Sequence, residues 1–416
     1  MKSFKAHLKE ATNKNTHMKH IEDLVLDGGV SGTRDAINAL RSLRDMLAGN
    51  SRTATDVTVK WDGAPAIFAG EDPRDGKFFV AKKGVFNADP KVYKSHQDID
   101  DDNDKPDLIK KLKAAFDNLK DLNIKGVVQG DFMYNQDDLK TEKINGETYI
   151  TFHPNAIVYA IPLNSELGQR IKRSNMGIVW HTKYEGSSFE GMSAKFATSI
   201  VKTIKQSPKV WMIDANLQDL SGKAIMTASE TIEVTKSLSN AGKVFNKIKA
   251  STLKELESEK ELNLVINIYN NTKVRAQQRI TNTRAHAAGL VDFVNNRYAK
   301  EIDKLKTEKG KAKKSAKRDD VINKFFNKNN LKNLELVFEL QNHIIDAKLA
   351  LINKLSTLSE IDTFVKTKDG FKVTNPEGFV AVDRIGGGAV KLVDRLEFSY
   401  SNFSKDVIKG WDSPTR

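Results

Sequence analysis

The chain has 416 residues, of which 39% are hydrophobic and 29% charged, and its formal charge is +13. That length suffices for two or three domains with their own cores, and the composition excludes a disordered or fibrous protein. Cysteine is absent, which excludes disulfides, thiolate nucleophiles and cysteine-ligated zinc or iron–sulfur sites.

A pI near 9.4 favours a polyanionic partner, most simply nucleic acid. The eight histidines show no HExxH or comparable metal spacing. The opening MKSFKAHLKEATNKNTHMKH lacks the apolar centre of a secretory signal, and runs such as AIVYAIPL are too short to cross a bilayer. A soluble cytoplasmic protein with no membrane contact is expected.

In chain order, residues 1–50 read as an N-terminal helical segment. HIEDLVLDG and TRDAINALRSLRDMLAG carry three- and four-residue apolar spacing, with Thr33 as the expected cap and Gly49 as the stop. Short β-rich runs follow: DVTVKW, AIFAG, KFFVAKKGVF, GVVQGDFMY, TYITFH, AIVYAI and GIVWHTKY, with DPRDG and INGE as turns. One helix, DLIKKLKAAFDNLKDL, interrupts them after the acidic loop DIDDDNDKPD. From about 195 the chain becomes helical and basic, and after 370 β-character returns in GFKVTNPEGFVAVDRIGGGAVKLVDRLEFSY.

This order predicts an α+β chain with one interrupted core, because its last segment is too short to bury a core of its own. The expected division is a helical segment over 1–50, the first part of the core over 51–194, a basic helical insertion over 195–368, and the completing part over 369–416. Inside the insertion, KTEKGKAKKSAKR contains Lys313, Lys314, Lys317 and Arg318. These form either a solvated face or a phosphate-contacting patch that makes binding steeply salt-dependent.

The stretch TVKWDGAPAIF delivers Lys60 from a strand into a turn with Asp62 and Gly63 behind it. Further along stand VAKKGVF with Lys83 and Gly84, VVQGDFMY with Asp131 and Phe132, AIVYAI with Tyr159, PEGFVAV with Glu377 to Val380, and GGAVKLVD with Lys391. Taken in this order they resemble the motifs of the covalent nucleotidyltransferase superfamily, which holds ATP-dependent DNA ligases, RNA ligases and mRNA capping enzymes. KWDG resembles motif I, KxDG, and the acidic strand end, EGFV and Lys391 resemble motifs III, IV and V.

The resemblance implies a ligase-type nucleotidyltransferase (adenylation) domain of antiparallel sheets with helices. Few residues follow Val393, so no C-terminal OB-fold is expected. It implies ATP and Mg²⁺, with Lys60 as the nucleophile and Lys391 supplying a cation and holding the α-phosphate. By the same resemblance, Asp131 and Glu377 bind metal or ribose, Asp62 contacts ribose or a 3′ end, and Lys83 and Gly63 lie at the nucleotide. Tyr159 stacks on the base if it faces the pocket. The chemistry makes its own demand: a lysine attacks phosphorus only when neutral, so desolvation and a neighbouring cation must lower its pKa.

The implied activity is an ATP-dependent, RNA ligase-like polynucleotide ligase that joins 5′-phosphate and 3′-hydroxyl ends through lysyl-AMP. Four positions depart from DNA ligases: Pro65 stands where they have arginine, Thr58 where they have glutamate, Asp131 where they have glutamate and Val393 where they have lysine. The alternatives are a nick-sealing DNA ligase, an RNA-capping guanylyltransferase using GTP, and a degenerate ligase fold kept as a nucleic-acid-binding protein. The chain as a whole resembles uncharacterised proteins of large tailed phages, which would place it in host cytoplasm.

Overall fold

A computed structural model of the chain describes residues 18–50, 55–196, 198–217, 224–383 and 389–410. The first seventeen residues of the expected helical segment, and the two glycines opening GGAVKLVD, lie outside the described residues. The protein is α+β with predominantly antiparallel sheets, as expected. It divides into two compact units, one from residues 19–53 with 220–352 and the other from 54–219 with 353–416.

The first unit is helical. Its helix Gly29–Leu47 starts at Gly29 rather than after Thr33, whose buried hydroxyl donates to the Gly29 carbonyl at 2.7 Å. The glycines explain the early start. A Cβ at Gly32 would lie 2.2 Å from the Leu24 carbonyl, so only glycine lets the short helix Leu24–Asp27 pack so closely. Gly49 stops the helix as expected, with φ +75°. The helices Ala228–Phe245 and Ala250–Ser258 pack on Gly29–Leu47, and a buried Glu22–Lys348 ion pair at 2.8 Å links the segment to the helix Lys328–Ser356. The N-terminal helices thus share a core with the helical insertion.

Among the described residues, the second unit contains fifteen strands. Its first part has β1 Thr55–Lys60, β2 Ala66–Glu71, β3 Phe78–Ala81, β4 Val127–Asn135 and β5 Lys140–Ile144. Next come β6 Glu147–Phe152, β7 Ile157–Pro162, β8 Met176–Glu185, β9 Ser193–Phe196 and β10 Val210–Asp214. After the helices follow β11 Asp362–Thr367, β12 Gly370–Val373, β13 Gly378–Asp383, β14 Ala389–Leu392 and β15 Val407–Ile408. Three sheets result: β1-β13-β14; β10-β8-β4-β2-β3 with β9 on β8; and β12-β11-β7-β6-β5 with β15 on β11.

The sheets, not composition, set the boundaries of this unit. The basic segment after 194 begins with strand, because β9 and β10 both pair with β8 along the side opposite β4. At the far end, β11 pairs with β7 and joins the third sheet. Helix Pro106–Leu119 covers one face of the second sheet, burying Leu112, Ala115 and Leu119 among Ile67, Val128, Phe132 and Trp180. The other face meets an aromatic core of Trp61, Tyr134, Phe152, Tyr159 and Trp211.

The INGE turn closes the β5–β6 hairpin with positive φ at Asn145 and Gly146, as two-residue hairpin turns require. The acidic stretch is not a loop. Helix His96–Asp102 forms there, because Ser95 and Asp98 make a reciprocal capping box and Asp100 and Asp102 find Lys113 and Lys91.

Candidate active site

Lys60, Glu377 and Lys391 are gathered by the three-stranded sheet. Lys60 ends β1 opposite Gly378, Thr58 faces Val380, and Val380 faces Lys391 on β14. Strand alternation therefore sends Thr58, Lys60, Val380 and Lys391 to one face, where all four line an open cavity of about 810 Å³. Glu377 directly precedes β13 and its carboxylate forms an ion pair with Lys60 Nζ. Gly378 has φ +151°, and a Cβ there would lie 2.6 Å from the Leu392 carbonyl oxygen. Glycine thus lets the chain turn Glu377 toward Lys60 at the strand start.

Charge in this cavity is unbalanced. Burial alone would lower the Lys60 pKa, but Glu377, then Asp131 and Asp62, outweigh it and hold the ammonium above its ordinary value. Burial pushes the Asp131 and Glu377 carboxyls up to about 7, with Lys60 opposing in both cases. Lys391 is lowered by burial and by the charge of Lys60. Attack on phosphorus demands a neutral Lys60, whereas Glu377 favours its ammonium form.

The turn after Lys60 is held from two sides. Trp61 stacks on Tyr159 with ring centroids 5.0 Å apart. The buried Asp62 carboxylate accepts from Asn155 Nδ2 at 2.8 Å and from the backbone N–H groups of Ala156 and Ile157 at 2.7 and 3.0 Å. Its own N–H donates to the Tyr159 hydroxyl at 2.7 Å. Asp62 borders the cavity, yet its carboxylate is committed to the loop before β7. The expected base-stacking role of Tyr159 is corrected here: the ring is 1% exposed, lies between Trp61 and Phe152, and does not line the cavity. Pro65 is likewise turned away, its carbonyl accepting from Phe132 N–H at 3.0 Å while Ala64 N–H donates to the Phe132 carbonyl at 2.9 Å.

Asp131 projects from β4 into the cavity, and among the described residues no hydrogen-bond donor satisfies its carboxylate. Lys83 lines the same cavity from the turn after β3. Of the two expected metal ligands, Asp131 is open and Glu377 is engaged by Lys60. Among the described residues no three His, Asp or Glu side chains converge as a metal cage. Asp131 still suits Mg²⁺, a hard cation that takes one or two carboxylates and completes its shell with substrate phosphates and water.

The sequence argument missed a second set of lining residues on β8. Gln129 of β4 pairs with Thr182 but Gly130 with Trp180, so His181 is an extra, bulged residue. Before the bulge, Ile178 and Trp180 face the helix-covered core; after it, Thr182 and Tyr184 face the cavity together with His181. A Cβ on Gly130 would meet the Val179 carbonyl at 2.6 Å, so glycine is required beneath the bulge. His181 Nε2 lies 3.8 Å from Asp131 Oδ1, and burial lowers its pKa to about 4, which keeps the imidazole neutral. Beyond it Phe86, Tyr184 and Phe189 form an aromatic lobe, where the Tyr184 hydroxyl donates to Gln129 Oε1 at 2.7 Å. The sequence signal was GIVWHTKYE, whose polar residues at 181, 182 and 183 break the alternation.

The four basic residues of the insertion are not brought to this cavity. They stand on helix Glu308–Phe325 of the helical unit, where Lys314 pairs with Glu301, Lys317 with Glu261 and Arg318 with Asp319. Lys313 is exposed, and no ion pair involves it among the described residues. Also among the described residues, no helix is long and apolar enough to cross a membrane.

With this geometry in hand, the comparison with known families is decisive on one point. Residues 15–407 match the family described as "Family of unknown function (DUF6267)". The chain belongs to that family. The match spans both compact units and every cavity residue named above. No curated protein and no solved structure matches the chain.

Proposed function

We propose that the cavity is the nucleotide site of an ATP-dependent, RNA ligase-like polynucleotide ligase, built on a ligase-type nucleotidyltransferase domain. One observation carries this reading: Lys60 at the end of β1, Lys391 on β14 and Glu377 just before β13 share a cavity with Lys83 and Asp131. A solvated turn lysine would have no reason to be half-buried in an ion pair with a carboxylate that is itself enclosed. The cavity volume suits a nucleoside triphosphate. The aromatic lobe offers the stacking surface for a base, in place of Tyr159.

In the first step Lys60 gives its proton to Glu377, its ion-pair partner, and the neutral Nζ attacks the α-phosphorus. The Nζ–P bond forms while the bond to the pyrophosphate oxygen breaks; pyrophosphate leaves with that electron pair and takes up the second proton lost by Nζ. Lys391 and Lys83 hold phosphate oxygens, and the half-buried position of Lys391 leaves its charge less screened than that of the exposed Lys83. Asp131 would hold Mg²⁺, which when bound supplies positive charge against the phosphates. Transfer of AMP to a 5′-phosphate and attack by a 3′-hydroxyl would complete the joining, with the chain's positive charge favouring the polyanionic substrate.

The test is incubation with α-labelled ATP and, separately, α-labelled GTP, with one portion denatured in detergent to read covalent label and another, kept native, given nicked RNA, nicked DNA and single-stranded ends. Covalent, alkali-stable and acid-labile label from ATP that Lys60→Ala abolishes is the expected result. Label from GTP alone identifies a guanylyltransferase. No adduct from either nucleotide leaves the degenerate nucleic-acid-binding reading.

A further inference from the structure

The loop that presents Glu377 is itself held from a distance. Thr374 is tied to β11 twice: its N–H donates to the Thr363 carbonyl at 3.1 Å, and the Thr363 hydroxyl donates to the Thr374 carbonyl at 2.6 Å. The remaining polar groups of Thr374 and Asn375 turn the other way, onto one carboxylate. Glu397 Oε1 accepts from the Thr374 hydroxyl at 2.6 Å and from Asn375 N–H at 2.7 Å, and its Oε2 accepts from Asn375 Nδ2 at 2.9 Å. Glu397 sits in the first turn of the helix Arg395–Phe403, whose N-cap Asp394 accepts from Leu396 N–H at 2.9 Å and from Glu397 N–H at 3.3 Å. The same helix lends Phe398 and Asn402 to the cavity wall.

We propose that Glu397 is a positioning residue for Lys60: by fixing Thr374 and Asn375 it aims Glu377 at the lysine. Pro376 lies between the held residues and Glu377 and locks its own φ, so the restraint is passed along a chain with few soft dihedrals. Both Glu397 oxygens are used by this loop, and three charge-assisted hydrogen bonds on one carboxylate exceed what holding a surface turn requires. The helix is thereby a working part of the site, although no sequence motif pointed to it. The geometric claim stands on the structure alone; its catalytic meaning rests on the proposed function.

The experiment uses the full chain and two readouts. The first is the time profile of Lys60 acylation at pH 8 by an amine-reactive ester, measured peptide by peptide by mass spectrometry, which needs no nucleotide. The second is the rate of covalent adduct formation with labelled ATP. In Glu397→Ala, Glu377 is released from its contact with Lys60, and labelling of the lysine rises about tenfold. Adduct formation falls about 10–100-fold in kcat with little change in KM, because the aromatic lobe is untouched.

Glu397→Gln keeps the Oε1 acceptor and lets the Asn375 amide turn over, so both readouts stay near wild type; loss there equal to Glu397→Ala overturns positioning by hydrogen bonds. Thr374→Val, nearly isosteric, removes one bond and gives the same direction of shift should Glu397→Ala fail to fold. An unchanged Lys60 profile in folded Glu397→Ala or Thr374→Val overturns the inference. Wild type that forms no adduct while the profile still shifts defeats the ligase reading and leaves the positioning intact.

Discussion

Gly63 and Asp131 approach so closely that a Cβ built on the glycine would lie 2.6 Å from Asp131 Cβ and 2.8 Å from Met133 Sδ. The glycine behind the lysine is therefore a condition for packing the turn on β4, and Asp131 stands in the cavity at the place this contact allows. Gly63→Ala must push β4 or the turn aside, at a cost of about 1–3 kcal/mol. Gly84→Ala meets no atom nearer than 3.6 Å and serves as the control, expected within about 0.5 kcal/mol of wild type. Urea denaturation measures both; equal stability of the two variants would show that the turn yields freely.

Asp131 gives a stability prediction with an unusual sign. Its carboxyl is raised to about 7 by burial, so between the ordinary carboxylate range and pH 7 the folded state binds the extra proton. Stability contributed by this group is therefore present at low pH and lost as pH rises through 7. Asp131→Asn removes that loss. The variant is expected to be more stable than wild type by about 1–2 kcal/mol at pH 8 and equal to it near pH 4. A constant difference across that range would show that charge is not the cause. On the proposed function the same variant loses adduct formation.

The helical unit carries an opposite device. His286 stacks on Tyr269 with centroids 4.2 Å apart, donates from Nε2 to Asn270 Oδ1 at 2.8 Å, and meets the edge of Phe338. Burial, with Lys273 nearby, lowers its pKa to about 4. A depressed histidine is neutral in the fold, so its contribution is present above pH 6.5 and is lost as pH falls from there toward 4. His286→Gln retains a partner for Asn270 and cannot charge. Its deficit relative to wild type at pH 7.5 should shrink steadily on acidification to pH 5, as followed by thermal unfolding; a pH-independent deficit would assign the acid loss to other groups.

On the proposed function, nucleotide affinity resides in the aromatic lobe. Tyr184→Ala removes a ring that packs 4.7 Å from Phe86 and 5.9 Å from Phe68, centroid to centroid, and frees Gln129. Nucleotide binding by calorimetry should weaken about 10–100-fold, the worth of one base–aromatic stack. Tyr159→Phe should leave affinity nearly unchanged, because that ring is enclosed in the core. The reverse ranking would place the base elsewhere.

Ion pairing also ranks the basic residues of helix Glu308–Phe325. Among the described residues, Lys313 is exposed without an ion pair, whereas Lys317 is already neutralised by Glu261. If nucleic acid binds this helix, Lys313→Ala should reduce the salt slope of binding by about one, and Lys317→Ala by less. Equal slopes in both variants and wild type would exclude the helix from the interface.

The sequence by itself determined the alternation of β1, β4, β7 and β13, the Gly49 stop, the β5–β6 turn and the residues most fit for chemistry. These follow from local rules: side-chain periodicity of two, φ freedom at glycine, and the scarcity of lysines that end apolar strands. Which of those residues share a cavity was decided by strand register, since Lys60 meets Glu377 through the β1–β13 pairing and not through any local signal. Tyr159 illustrates the limit. Its strand is legible, but which face packs on Trp61 depends on a sheet assembled from distant segments. The β8 bulge left only the broken alternation of GIVWHTKYE, because it inserts a residue relative to a partner strand, and the Glu397 carboxylate left no local signal, because it acts across long-range hydrogen bonds. Local propensity is written residue by residue, whereas register, burial and the charge balance around Lys60 exist only once the sheets have paired.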